Sequence, residues 1–111
     1  ANRQKTYLGN TMIVNADYLC EQEKIHKEMQ NRHVSTYSLF RVHRGQRPLE
    51  ELSALLERSM RTTDIAGQGN DGDLYIIAPQ SDPTTAQIIL ERYRKLGLEA
   101  ELVEKLPGGA G

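Results

Sequence analysis

The spacing of apolar residues switches along the chain between the period of a helix and that of a strand. Leu49, Leu52 and Leu56 recur at intervals of three and four residues, which is typical of a helix with one buried face. Residues 98–104 alternate between apolar and acidic side chains, as a half-buried strand does. The predicted elements are a helix over 16–31, a strand over 34–42, a helix from Pro48 to Met60, strands over 64–68 and 74–78, a helix from Pro83 to Gly97, and a strand over 98–104.

Local signals fix the ends of these elements. Asn15 is a favoured residue type at a helix N-cap, and Pro48 and Pro83 suit the first turn of a helix. Gly97 suits the position after a helix C-terminus. The turn-forming run from Gly67 to Gly72 predicts a hairpin between the two middle strands. The apolar face of the first helix is predicted to comprise Tyr18, Gln22, Ile25 and Met29.

The order of the elements predicts the fold class. After the first helix the chain reads strand, helix, strand, strand, helix, strand, which is the order of a ferredoxin-like α+β plait. We expect a mostly antiparallel sheet with two helices on one face and the N-terminal helix on the other. The whole is predicted to be one domain over residues 1–106, with its plait over 34–104, followed by a flexible tail at 107–111.

Composition narrows the classes of partner. The chain has 111 residues and a net charge of -1, from 14 basic and 15 acidic residues. No overall positive field would attract DNA, RNA or an anionic membrane surface. No apolar run reaches the roughly 20 residues that a membrane-spanning helix needs, so we expect this stretch of chain not to span a membrane. The single cysteine, Cys20, permits no internal disulfide and is typical of a cytoplasmic protein.

One pair of charged residues stands out between the second helix and the hairpin. Arg61 and Asp64 are three residues apart, directly before the first hairpin strand. Such a pair commonly forms a helix-terminal charge and an Asx turn without binding anything. It also supplies a guanidinium donor and a carboxylate acceptor at one place, which is the chemistry that recognises a guanine base or a phosphate.

The chain resembles a GGDEF domain over most of its length. The resemblance depends on Asn15 with Tyr18 and Leu19 at the first helix, on Arg61-x-x-Asp64, and on the hairpin followed by Pro79. In that family an Arg-x-x-Asp pair precedes the signature turn by five residues. Counting from Asp64 places the turn at residues 70–74, where the sequence reads NDGDL instead of the signature.

The departures from the family pattern fall where catalysis requires metal. Active diguanylate cyclases hold divalent metal by carboxylates at the end of the first core strand and at the third position of the signature turn, because the metal neutralises the reacting phosphates. Here the corresponding residues are Arg41, His43 and Gly72, and the loop after the strand is short. The resemblance therefore implies a degenerate member with no catalytic residues, no metal and no cofactor.

What the resemblance preserves is the inhibitory site, which binds cyclic di-GMP. In this picture Arg61 donates to O6 and N7 of guanine or to phosphate, and Asp64 accepts from the ring N1–H and the amino group. A further Arg of the family's following helix corresponds to Arg92, with Arg94 as the neighbour that substitutes for it.

The implied function is that of a non-catalytic cyclic di-GMP receptor that regulates exopolysaccharide synthesis or secretion. Subunits of a polysaccharide-secretion complex are the implied partners, and the receptor is cytoplasmic, either free or as part of an inner-membrane protein. The alternative is a ferredoxin-like protein-interaction domain that has lost nucleotide binding. Loss or retention of ligand binding distinguishes the two.

Overall fold

The computed structural model describes residues 5–108, so residues 109–111 of the predicted tail lie outside the described range. None of the helices in that range is both long and apolar enough to cross a bilayer. The elements are α1 (Ala16–Asn31), β1 (Tyr37–His43), α2 (Leu49–Glu57), β2 (Ile65–Gln68), β3 (Leu74–Pro79), α3 (Pro83–Lys95) and β4 (Glu99–Val103).

The four strands form one antiparallel sheet in the order β2-β3-β1-β4. The central strand β1 pairs with both neighbours, so Phe40 lies opposite Ile76 on one side and Leu102 on the other. With the two crossover helices α2 and α3, this is the topology of a ferredoxin-like plait. The predicted α+β class and element order are confirmed.

Hydrophobic side chains are buried on both faces of the sheet. On one face Phe40, Ile76 and other strand residues pack against Leu52, Leu56 and Tyr93 of α2 and α3. Strand residues on the other face pack with α1 and the chain near the C-terminus, and this cluster contains Val14, Leu19, Leu39, Tyr75, Ile77 and Leu106. Each fully buried aliphatic or Phe side chain stabilises the fold by about 1.5–3 kcal/mol. The predicted placement of α1 opposite the other two helices is therefore confirmed.

The predicted apolar face of α1 is wrong, although its bounds agree with the prediction. The buried residues of the helix are Leu19 and Glu23, whereas Ile25 is 42% exposed. Glu23 is buried because its Oε2 accepts a hydrogen bond from the backbone N–H of Leu106 (2.9 Å). A partner 83 residues away in the sequence satisfies this carboxylate, so hydrophobic spacing could not reveal it.

The start of the first strand and the N-cap of the first helix also differ from the prediction. β1 begins at Tyr37 rather than at residue 34, because His33 takes a left-handed backbone (φ 58°) and Val34 stays exposed. Asn15 does occupy the N-cap of α1. Its side-chain oxygen, however, accepts from the backbone N–H of Thr6 (2.9 Å) instead of from the helix.

Residues 5–15 form what we call the N-terminal strap, an ordered segment along the edge of β2. The Val14 N–H donates to the Ala66 carbonyl (2.8 Å), and the Gln68 N–H donates to the Val14 carbonyl (3.1 Å). Tyr7 pairs with Val14 in an isolated antiparallel bridge. The strap thus covers the edge of β2, which limits unwanted strand pairing there. It also brings Lys5 and Tyr7 beside the end of α2.

Candidate functional site

Arg61 and Asp64 bind each other in the connection between α2 and β2, and we call this pair the clasp. The backbone N–H of Arg61 donates to Asp64 Oδ2 (2.9 Å), and its Nε–H donates to Oδ1 (3.0 Å). Nη2 of Arg61 also lies 3.0 Å from Oδ1. The Asp64 N–H in turn donates to the Arg61 carbonyl (3.0 Å), closing a short turn. Both carboxylate oxygens of Asp64 are therefore engaged within the clasp.

Burial explains why the clasp is closed. The side chain of Asp64 is only 2% exposed, whereas that of Arg61 is 37% exposed. A buried carboxylate needs a positive partner and hydrogen-bond donors, and Arg61 supplies both. Nη2 of Arg61 further donates to the Pro79 carbonyl (2.8 Å), which ties the clasp to the end of β3. Nη1 has no recorded hydrogen-bond partner within residues 5–108.

A cavity of about 280 Å³, the clasp pocket, opens beside these residues. The strap forms one wall, and the end of α2, the clasp and the start of β2 form the other. Lys5 and Arg61 bring positive charge to the pocket, and Glu57 and Asp64 bring negative charge. The remaining lining residues are Tyr7, Met12, Val14, Met60, Thr62, Ile65 and Ala66. The lining of the pocket thus combines apolar side chains with charged and aromatic groups, as small-molecule sites do.

A buried tyrosine of α3 is electrostatically coupled to the clasp. The ring of Tyr93 packs edge-on against Phe40, with ring centroids 5.5 Å apart. Its hydroxyl is buried without a hydrogen-bond partner among the described residues. Burial raises the pKa of Tyr93, and the negative charge of Asp64 raises it further, so the phenol stays neutral. Tyr93 therefore adds no charge to the site.

Neither of the two arginines expected to complete the site lines the clasp pocket. Arg94 belongs to the other edge of the sheet, because its Nε–H donates to the carbonyl of Ala100 in β4 (3.1 Å). Arg92 is exposed, makes no recorded side-chain hydrogen bond or ion pair within residues 5–108, and does not line the clasp pocket. Both lie in the last turn of α3, where positive charge is favourable to the helix dipole.

Arg41 and His43 belong to a separate charged cluster at the hairpin end of the sheet. Nη2 of Arg41 lies 2.7 Å from Asp73 Oδ2, and Nε2 of His43 lies 2.6 Å from Glu101 Oε2. The Arg44 backbone N–H donates to the other Asp73 oxygen (2.9 Å). Burial acts to raise the pKa of Asp73, but the donors from Arg44 and Arg41 outweigh it and hold that pKa below its usual range.

A second cavity, of about 690 Å³, lies where the end of α1, the start of β1, the end of β4 and the start of α3 meet. Its wall carries hydroxyl and amide groups together with one lysine, Lys27, and one carboxylate, Glu104. The Ser38 hydroxyl lies 3.0 Å from the buried Ser81 hydroxyl at this place, so these two groups bond to each other. Nothing in this arrangement selects a ligand class.

Sequence reasoning found the clasp but missed the rest of its pocket. Lys5, Tyr7 and Glu57 lie on the pocket wall, yet none of them belongs to a spaced motif. The sequence offered one indirect signal. Val14 is apolar and β-branched, so it could have been expected to pair with a strand, and the segment before it contains Lys5 and Tyr7. No group of His, Cys, Asp and Glu in residues 5–108 has an arrangement that could hold a metal ion.

Comparison with known proteins gives no independent family for this chain. No family model matches the sequence, and no curated protein matches it either.

Proposed function

We propose that this domain is a non-catalytic receptor for cyclic di-GMP, of the degenerate GGDEF type and most like the receptor PelD. The observation that supports this most is the position and the hydrogen bonding of the Arg61 guanidinium. Its guanidinium is fixed by Asp64 and Pro79 on the wall of the clasp pocket, while Nη1 has no recorded partner in the described chain. In the proposal, ligand binding regulates exopolysaccharide synthesis or secretion through subunits of a secretion complex.

The proposed role of Arg61 follows from its remaining donors. The two N–H groups of Nη1 can donate to a phosphate oxygen or to O6 or N7 of a guanine, and such bonds to an anionic acceptor are among the stronger hydrogen bonds. Holding the guanidinium in place before binding lowers the entropy lost when the ligand binds. Arg61 is thus proposed as the residue that contacts the dinucleotide.

The proposed role of Asp64 differs from the one the resemblance implies. With its side chain 2% exposed and both oxygens already accepting from Arg61, this carboxylate presents little accessible surface to guanine. In the closed clasp it acts as a positioning residue, which orients Arg61. Reading of the base by Asp64 itself would require the clasp to open and a ligand to replace the Arg61 donors.

The charge cluster at the former metal positions supports a role without catalysis. Arg41 and His43 contact Asp73 and Glu101, so these carboxylates already have cationic or proton-donating partners. A divalent ion would have to displace Arg41 from Asp73 and would meet its positive charge. We therefore propose that the domain binds a nucleotide without forming one.

One observation favours the alternative, a protein-interaction domain without nucleotide binding. The clasp satisfies its own charges internally, which is what a purely structural ion pair does. Under that alternative the pair joins the connection between α2 and β2 to the end of β3 and binds no ligand.

Isothermal titration of cyclic di-GMP distinguishes the two functions. The wild-type protein would be compared with Arg61→Ala, with Arg61→Lys, and with Arg58→Ala, an exposed arginine three residues earlier that lies outside the clasp pocket. Circular dichroism would show that each variant is folded at the titration temperature. GTP serves as the control ligand.

We expect binding by the wild-type protein and by Arg58→Ala, with at least about tenfold weaker binding by Arg61→Ala. Arg61→Lys keeps the charge but not the fork of donors, so its binding should also be weaker. A folded wild-type protein that gives no heat with cyclic di-GMP would contradict the receptor function and leave the interaction domain.

A further inference from the structure

We infer that Lys5, Tyr7 and Glu57 complete the clasp pocket as a site for one guanylate half of the dinucleotide. This inference rests on the proposed function. In it, Lys5 joins Arg61 at a phosphate, Tyr7 stacks on the base, and Glu57 accepts from the guanine edge. The inferred site does not include Arg92 or Arg94.

Charge is the first argument. Within the clasp the carboxylate of Asp64 offsets the positive charge of Arg61, so the pair alone offers little net attraction to a phosphate. Lys5 is the other cation on the pocket wall, and it is exposed. A lysine ammonium is charged at neutral pH, and the Tyr7 hydroxyl beside it raises the pKa of Lys5 further. Lys5 thus adds a second positive charge beside Arg61. The wall as a whole, with Glu57 and Asp64, carries no net charge, so the attraction to a phosphate is local to these two cations.

Tyr7 provides the second argument, because it is an aromatic ring placed on the pocket wall. The ring is 49% exposed, and Lys5 Nζ lies 4.9 Å from its centroid. Its backbone is held by the bridge to Val14, which itself bonds to β2. A half-exposed ring on an anchored segment is a platform for stacking a base, since every base has a π-face.

Glu57 gives the site a preference between bases. This residue is exposed at the end of α2, lines the pocket, and has no hydrogen bond or ion pair recorded within residues 5–108. Its carboxylate can accept from both N1–H and the amino group of guanine, whereas adenine has no N1–H. A carboxylate repels phosphate, so it also favours the orientation with the base at Glu57 and the phosphate at Lys5 and Arg61.

The size of the pocket limits what it holds. At about 280 Å³ it lies just below the usual range of small-molecule sites, which is roughly 300 to 1,000 Å³. One guanylate half therefore occupies the pocket and the other half of the ligand remains outside it.

The test is isothermal titration of cyclic di-GMP into single variants with matched controls. Lys5→Gln is compared with Lys27→Gln, whose lysine lines the other cavity. Tyr7→Leu is compared with Tyr7→Phe, which keeps the ring and removes only the hydroxyl. Glu57→Gln is titrated with cyclic di-GMP and with cyclic di-AMP, and Arg61→Ala is the reference for loss of binding.

We expect about tenfold weaker binding for Lys5→Gln, and about 5- to 100-fold weaker binding for Tyr7→Leu, as loss of one stacked base predicts. Lys27→Gln and Tyr7→Phe should stay within about twofold of the wild type, by the same scale. In Glu57→Gln the ratio of the two dinucleotide affinities should fall by about tenfold.

Two outcomes would overturn the inference, and they are distinguishable. If the wild type binds and Arg61→Ala does not, but Lys5→Gln, Tyr7→Leu and Glu57→Gln bind as the wild type does, the receptor function stands and the completed site is wrong. If the folded wild type does not bind cyclic di-GMP, the receptor function itself fails and this site fails with it.

Discussion

The clasp predicts an unequal response to removal of its two charges. Arg61→Ala leaves the buried carboxylate of Asp64 without its cationic partner. Asp64→Asn leaves a neutral amide next to an arginine that water can reach. The side chains are 2% exposed for Asp64 and 37% exposed for Arg61. Water can therefore solvate the Arg61 guanidinium after Asp64 is replaced, but it cannot solvate the Asp64 carboxylate after Arg61 is replaced.

The exposures and bonds set the expected magnitudes. Breaking a buried pair by removal of one partner costs about 3–5 kcal/mol, and we expect Arg61→Ala to cost about 3 kcal/mol because the backbone N–H of Arg61 still donates to Asp64. Asp64→Asn keeps one oxygen that can accept from this N–H, while its NH2 group faces the guanidinium donors of Arg61. Because the Arg61 side chain is 37% exposed, it can turn toward water, so about 1–2 kcal/mol is expected. The double variant also removes the unpaired charge of Asp64, so it should be more stable than Arg61→Ala alone.

Urea unfolding followed by circular dichroism at pH 7 measures these free energies as a double-mutant cycle. We expect Arg61→Ala to be the least stable of the three variants. A cost below about 1 kcal/mol for Arg61→Ala, together with additive effects in the double variant, would show that the carboxylate is not buried against Arg61 as described.

Three further perturbations test other parts of the structure. Gly67→Ala should cost about 1–3 kcal/mol in urea unfolding, because a Cβ there would lie 2.9 Å from Leu19 Cβ; an unchanged midpoint would mean that α1 is not packed on β2. Tyr93→Phe should leave the unfolding free energy unchanged or raise it by up to about 1 kcal/mol, since its buried hydroxyl has no recorded partner in the described range; a loss above about 1 kcal/mol would reveal a bond to that hydroxyl. Asp73→Asn should flatten the acid dependence of stability: the folded-state pKa of Asp73 lies below its ordinary 3.8, so its contribution is present above about pH 4 and is lost as pH falls through the folded pKa. Unfolding curves from pH 2 to 6 that have the same shape in both proteins would refute this.

The elements and their order could be predicted because their signals are local. The leucines of α2, the alternation in β4 and the turn residues of the hairpin each lie within one element, and the crossover rule then leaves few arrangements. The clasp was found for the same reason, since Arg61 and Asp64 are three residues apart.

The rest of the site depends on contacts that spacing does not encode. Glu23 is buried through a backbone donor near the C-terminus, and Lys5 reaches the pocket only because the strap pairs with β2. Arg94 bonds to the Ala100 carbonyl of β4 and Arg92 does not, because side chains two residues apart on a helix lie on nearly opposite faces. Counting along the chain could not decide between these two arginines. Nor could it show that Asp64 would be buried and engaged by its own partner.

The central claim is that cyclic di-GMP contacts Arg61 in the clasp pocket. The most direct test is a two-dimensional ¹H–¹⁵N NMR titration that resolves the backbone amides and the arginine Nε–H groups. We expect the largest shifts at the Nε–H of Arg61 and at the amides of residues 61–65, with small shifts at Arg41 and His43 near the hairpin end. Saturating cyclic di-GMP that leaves the Arg61 signals unmoved, or that shifts mainly the hairpin end, would contradict the claim.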